Sequence, residues 1–165
     1  MESFKFLVEN YSRQVLNTAL RVLGDRQAAQ DVHQEVFLAV WQRWDKFNGE
    51  TNWKGYLYRT TIRKAMEYVK ESKDFSFFAE GSVDSVSVIE RPDSHIRAME
   101  LQQKLTALLS KLPGRQAEVF MLSKIEGLKS EDIGTVLGCS PETVRVHLHR
   151  ALKQLAEGLR DYSVK

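Results

Sequence analysis

Apolar residues recur every three or four positions at the start of the chain: Phe4, Leu7, Val8, Tyr11, Val15, Leu16, Ala19, Leu20 and Leu23. That period predicts an amphipathic helix. Gly24 can close it and Asp25 can cap a second helix, which the pattern carries to about Trp44. The polar stretch KFNGETN, residues 46–52, contains an Asn-Gly pair and predicts a loop. A third helix then begins near Trp53 and runs to about Glu71.

Residues 72–94 break the period. They are rich in Ser and Asp and include Gly81 and Pro92, a composition that predicts a linker. Their apolar fragments, FSFF and VSVI, are too short to build a domain and are free to pack against a neighbouring domain or a partner. From His95 the helical period resumes. Ile96, Met99, Leu101, Leu105, Leu108 and Leu112 fit one helix, stopped by Pro113 and Gly114, and RQAEVFMLSKIEG fits another. No stretch alternates with period two for long. The expected fold is all-α: two small helical domains, residues 1–71 and 95–165, joined by a linker over 72–94.

The segment SEDIGTVLGCSPETVRVHLHRAL, residues 130–152, predicts two short helices around a tight turn. Ser130 can cap the first, with Glu131 and Asp132 in its first turn, where the helix dipole favours anions. Ile133, Val136 and Leu137 face inward. Ser140 is a good cap for the second helix, and Pro141 sits at the first helical position, where its missing N–H is not needed. Val144, Leu148, Leu152 and Leu155 form an apolar stripe, and Arg145, Val146, His149, Arg150 and Lys153 fall elsewhere. A helix held this way presents its outward side chains to the major groove, where Arg can fork onto guanine or pair with phosphate. A helical hairpin with a solvated basic face is the alternative. His147 and His149 are two apart and share no helical face, so they suggest base or phosphate contacts, or plain surface, rather than a metal site. Cys139, in the turn, reads as a small packed side chain.

Two features stand out in the first domain. Asp31, Gln34, Glu35, Leu38 and Gln42 make one stripe of the second helix, polar apart from Leu38, while Val32, Val36, Phe37, Val40, Trp41 and Trp44 take the opposite side. The stripe is either a solvated face or a docking surface for a partner groove rimmed by Arg or Lys. In WKGYLYRTTIRKAMEYVKE, residues 53–71, five Lys or Arg are set against two Glu, with Trp53, Tyr56, Tyr58 and Tyr68 between them. Aromatic faces stack unpaired bases and cations follow the backbone, a combination that suits single-stranded nucleic acid. Equally, Tyr56, Leu57 and Ile62 can be core and the charges solvation.

Composition narrows the classes. Net charge is only +2 over 165 residues, too little to imply nucleic-acid binding alone. Its distribution is more informative: residues 1–71 hold 11 Lys and Arg against 9 Asp and Glu, residues 72–94 hold 2 against 5, and residues 95–165 hold 11 against 8. Two basic blocks flank an acidic linker. With the single Cys139, no intrachain disulfide or cysteine-rich zinc site can form. No leader pattern is legible, and no apolar run approaches the roughly 18 residues needed to span a bilayer, so a cytoplasmic protein without membrane insertion is expected. No catalytic motif, cofactor signature or metal cluster is readable, so no cofactor and no enzyme activity are expected.

These stretches together resemble a known family, the bacterial sigma factors of the sigma-70 family, extracytoplasmic-function group. DVHQEVFLAVWQRWDKFNG, residues 31–49, is similar to the polymerase-docking helix. WKGYLYRTTIRKAMEYVK, residues 53–70, is similar to the helix that engages the minus-ten element. Residues 112–155, from LPGRQAEVF to HRALKQL, are similar to the minus-thirty-five domain and carry the most specific likeness. The resemblance implies a subunit that gives core RNA polymerase its promoter specificity and helps melt DNA. Asp31, Gln34, Glu35, Leu38 and Gln42 would grip the clamp region of the large polymerase subunit. Asn48, Trp53, Lys54, Tyr56, Tyr58, Arg59 and Arg63 would capture the non-template strand at the minus-ten element, where one base is flipped out. Arg145, His147, His149, Arg150 and Lys153 would meet minus-thirty-five DNA, with Lys129, Ser130 and Glu131 near its phosphates. An anti-sigma partner is also implied. Arg63, Glu67, Val146 and His147 depart from common family residues and bear on promoter sequence. The rival reading is a stand-alone helix-turn-helix regulator whose first domain senses a ligand or dimerises.

Overall fold

In the computed structural model, residues 3–72, 77 and 92–163 are described, without the side chains of 92–95 and 161–163. Helix α1 (Phe4–Leu23) opens at Ser3, whose hydroxyl accepts the Phe6 N–H at 3.2 Å. It closes at Gly24, whose φ of 67° lies in the left-handed region that glycine enters without a Cβ clash. Asp25 caps α2 (Arg26–Gln42) as expected, accepting the Ala28 N–H at 2.8 Å. The helix stops before the expected Trp44, which instead begins a 3-10 turn, Trp44–Lys46. There the Trp44 ring stacks on Trp53 at 5.6 Å. Asn52 caps α3 (Trp53–Glu71) by accepting the Gly55 N–H at 3.2 Å.

These three helices pack on one another. Leu7, Val15, Ala19, Val22 and Leu23 of α1 meet Val32, Val36 and Val40 of α2 and Leu57, Ile62 and Ala65 of α3, all fully buried. Burying each Leu, Ile or Val contributes about 1.5–3 kcal/mol. That pins the rotation of α2 and leaves its polar stripe outward.

The second half is helical as well. Helix α4 (Pro92–Lys111) starts inside the expected linker, with Pro92 at its first position, where a missing N–H is harmless. The expected helix over 115–127 divides into α5 (Gly114–Phe120) and a π turn (Met121–Ile125), the Glu126 N–H reaching back to Met121 O at 3.1 Å. Then come α6 (Ser130–Leu137) and α7 (Pro141–Ser163). Lys129, not Ser130, holds the N-cap position of α6 and makes no side-chain cap bond; Ser130 is already helical. The inward stripe of α7 is Val144, Leu148, Ala151 and Leu155 rather than one through Leu152, which is exposed. Spacings of four, three and four follow 3.6 residues per turn, and Leu152 falls one step outside them. Ile96, Met99 and Leu101 of α4 are also exposed, contrary to their expected inward role.

The FSFF and VSVI fragments lie outside the described residues, apart from Phe77. That residue is fully buried, and its N–H donates to Thr106 Oγ1 of α4 at 2.9 Å. The two halves touch: α3 lies against α5 and α6.

Candidate nucleic-acid interface

The α6–α7 turn depends on an absent side chain. A Cβ on Gly134 would stand 2.6 Å from the Cys139 carbonyl oxygen, so glycine permits the close crossing of the two helices. Ser140 caps α7 as expected, accepting the Thr143 N–H at 3.1 Å. With Val144, Ala151 and Leu155 turned inward, the opposite face carries Glu142, Val146, His149 and Lys153, flanked by Arg145 and Arg150, all exposed.

Arg145 is restrained on this face, 3.3 Å from Glu131 and 3.7 Å from Glu142. Both partners are exposed, so each pair is weak and the guanidinium is free to exchange them for a nucleic-acid acceptor. Lys129, Ser130 and Glu131 sit together at the start of α6. His147 stands apart from the group: it is half-buried beside the inward stripe, with Nδ1 enclosed and unbonded. At the centre of the outward face is Val146, 47 % exposed, on the side of the helix where its spacing placed it. Two residues after Val144, it lies about 200° around the helix from the inward stripe.

The basic-aromatic helix α3 divides its residues between two uses. Trp53 is buried, stacked on Trp44 and tilted against Phe47 at 4.8 Å. It is therefore committed to the core beneath the 46–52 loop and does not offer a face to a base. Tyr56 packs edge-on against Phe47 at 5.1 Å and is half-buried. Lys54 is exposed, and Asn48 orders the loop by accepting the Glu50 N–H at 3.1 Å. Tyr58, Arg59 and Arg63 turn toward the second domain. Burial, with Glu126 nearby, raises the Tyr58 phenol above its usual range. Burial and then Arg63 lower the Arg59 guanidinium, which remains a cation at neutral pH. A cleft of about 450 Å³ is lined by Arg59, Arg63, Lys70, Arg115 and Glu118.

On α2, Gln34, Glu35, Leu38 and Gln42 are exposed and Asp31 is half-buried, bonded by Gln27 at 3.2 Å. Trp41, expected on the buried side, is 57 % exposed and close in exposure to Leu38 at 55 %. An edge contact with Phe4, at 4.9 Å between centroids, holds one side of its ring. It lies three residues after Leu38, on the same side of the helix, and widens the stripe into a mixed polar and apolar surface. Among the described residues, no group of three or more His, Cys, Asp or Glu is placed to hold a metal, and no helix is long and apolar enough to cross a membrane.

Comparison with known proteins decides what this pairing of surfaces is. The family model for sigma-70 region 2 matches residues 7–74, and that for sigma-70 region 4 matches residues 102–155. The chain belongs to the sigma-70 family of RNA polymerase sigma factors, extracytoplasmic-function group. It is similar to the RNA polymerase sigma-H factor of Pseudomonas aeruginosa, at 29 % identity over 96 % of this chain and 86 % of the relative. It is 24 % identical to the ECF sigma factor SigW of Bacillus subtilis, over 97 % of this chain and 90 % of that one. The solved structure of CnrH in complex with the cytosolic domain of CnrY shares the fold, with a TM-score of 0.54 and 22 % identity over 96 % of this chain and 88 % of CnrH. In this sigma factor, α1–α3 make up region 2, and the later part of α4 through α7 makes up region 4. The stand-alone regulator is not favoured, because the first domain is region 2 rather than a sensing or dimerisation module.

Proposed function

We propose that this sigma factor docks on core RNA polymerase through the outward face of α2 and delivers α3 and α7 to the two promoter elements. The observation that carries the docking surface is the exposure of Leu38 and Trp41 among Gln34, Glu35 and Gln42, on a helix whose other face is fully buried. Large apolar anchors ringed by polar groups make the energetic centre of an interface. Asp31 borders it. The partner is the clamp region of the large polymerase subunit. The chain catalyses nothing itself, acts in the cytoplasm, and leaves bond formation to the polymerase.

At the minus-ten element, Lys54, Tyr56, Tyr58, Arg59 and Arg63 of α3, with Asn48 in the preceding loop, bind the exposed strand. Trp53 holds the loop in place from beneath. At the minus-thirty-five element, Arg145, His149, Arg150 and Lys153 contact duplex DNA, Lys129, Ser130 and Glu131 lie along the phosphates, and His147 flanks them. An anti-sigma factor controls the protein; CnrH, which shares the fold, is itself in complex with a second protein, the cytosolic domain of CnrY. In vitro transcription with purified core polymerase and mapping of start sites tests the whole reading.

Two substitutions test its parts. Glu35→Lys places a cation opposite the basic rim expected of the clamp and should weaken capture of core polymerase by about ten- to a hundredfold, leaving duplex binding through α7 unchanged. Normal capture excludes this face. Val146, apolar at the middle of the reading face, is positioned to touch a thymine methyl. Val146→Ala should narrow discrimination between thymine and uracil in selected duplex probes by roughly fourfold, the worth of about one methylene contact.

A further inference from the structure

Carboxylates stand where a surface that binds duplex DNA by charge alone would carry only cations. A recognition helix turns its N-terminal end toward base edges. That end of α7 exposes Glu142 and Arg145, and the adjoining start of α6 exposes Lys129, Glu131 and Asp132. Acids therefore outnumber bases at the reading end. Farther along α7 the sign reverses: His149, Arg150 and Lys153 are exposed, and no acid occurs from His147 to Gln154.

Two of these acids converge on one cation. Arg145 Nη2 donates to Glu131 Oε1 at 3.3 Å, and its Nη1 lies 3.7 Å from Glu142 Oε1. Glu131 belongs to the first turn of α6 and Glu142 to the first turn of α7, where each helix dipole favours an anion. Ser140 fixes the turn that carries Glu142 by accepting the Thr143 N–H at 3.1 Å. The carboxylates are thus placed by their own helices, and Arg145 reaches between them. One guanidinium with two carboxylates makes a group of net negative charge.

We infer that Glu131 and Glu142 are specificity-determining residues, which hold Arg145 for a guanine edge and deny it to phosphate. The inference rests on the reading of α7 as the minus-thirty-five contact. Guanine offers two uncharged acceptors, O6 and N7. A guanidinium has more N–H donors than those acceptors can take, so Arg145 can fork onto guanine while the carboxylates keep its other donors bonded. Phosphate carries a full negative charge, and at Arg145 it meets both carboxylates. Unit charges about 4 Å apart interact measurably even in water, so their repulsion offsets the attraction of the single cation. Non-specific binding is built from phosphate contacts. A cation withdrawn from that pool adds little affinity for arbitrary DNA, and its contribution falls on sequences that present guanine in the right place. Arg150 and Lys153, at the acid-free end, supply the attraction that every sequence shares. The pairing also accounts for Glu131, beside Lys129 and Ser130: along phosphates, a lone carboxylate would only weaken binding.

The test titrates the full-length chain, over a salt series, into two fluorescein-labelled duplexes: one enriched by that chain from a randomised pool, and one scrambled. Glu131→Gln combined with Glu142→Gln removes both charges at nearly constant size. It should tighten the scrambled duplex about five- to tenfold and steepen its log–log salt slope by roughly one, as Arg145 gains a phosphate. The enriched duplex should change much less, so the preference for it shrinks. Misfolding weakens both duplexes together and cannot imitate that gain. Arg145→Ala should lower affinity for the enriched duplex about tenfold and for the scrambled one far less. Replacing the guanines of the enriched duplex one at a time by 7-deazaguanine should reveal a position that costs wild type affinity and costs Arg145→Ala far less. An unchanged preference in the double Gln variant overturns the inference. So does an Arg145→Ala that weakens both duplexes equally with a shallower salt slope, which would make Arg145 a phosphate contact. Arg150→Ala separates the two levels of failure. If it still weakens both duplexes, α7 remains the DNA-binding helix and this inference alone has failed. If the pool yields no enriched sequence, or Arg145→Ala, Arg150→Ala and Lys153→Ala all bind as wild type does, the reading of α7 fails and the inference with it.

Discussion

Leu57→Ala is expected to cost region 2 about 2–5 kcal/mol, the range for removing a fully enclosed leucine from a core that closes only partly over the gap. Leu57 is wholly buried in α3, facing the core shared with α1 and α2. The same helix carries Lys54, Tyr56, Arg59 and Arg63, so loosening its inner face also loosens the surface proposed for the minus-ten strand. Against a total stability of about 5–15 kcal/mol for a typical protein, the loss removes a large share. A denaturant melt should show a lower midpoint, and capture of core polymerase at 37 °C should fall with it. A shift below about 1 kcal/mol would show that the three helices repack around the gap, contrary to the tight core.

Gly134→Ala should be nearly as damaging, for the opposite reason. The new methyl would stand 2.6 Å from a backbone oxygen, that of Cys139, and backbone cannot move aside as a flexible side chain can. Over-packing of this kind costs about 1–3 kcal/mol, sometimes more. The lesion falls on the angle between α6 and α7. Duplex binding through Arg145, His149 and Arg150 should therefore fail first, while Glu35 and Leu38 still engage polymerase. Chemical-shift changes confined to residues 114–163 would locate it; equal disturbance of α1–α3 would mean that the two domains fold as one unit.

Much of this molecule is legible from residue order, and the reason is local. The helix ends at Gly24, Asp25 and Ser140 are governed by caps and by a left-handed glycine, interactions that reach only three or four residues. The inward faces of α1, α2 and α3 follow from periodicity for the same reason. Where a nearby alternative existed, the local reading slipped. Leucine at 152 is a better hydrophobe than alanine at 151, yet the phase set by Val144 and Leu155 places Ala151 inside. Ser130 is a better cap than Lys129, yet α6 begins one residue earlier than that preference suggests.

The candidate site divides along the same line. The polar stripe on α2 and the basic face of α7 are properties of single helices, and both could be listed from spacing. Trp53 and Trp41 exchanged expected roles because an aromatic ring suits a core and a surface equally. The choice was made by Trp44 and Phe47, which meet Trp53 only once the loop between α2 and α3 has folded.

By itself, the sequence determined an all-helical chain with a polar stripe on α2, a basic-aromatic helix and a helix-turn-helix, in the order that marks the family. Only the tertiary structure decided that Arg59 and Arg63 meet Glu118, and Arg21 meets Glu126. Those partners lie 55 residues apart for Arg63 and 105 for Arg21. Helical periodicity carries information over one or two turns; a contact across two domains depends on how their finished surfaces fit.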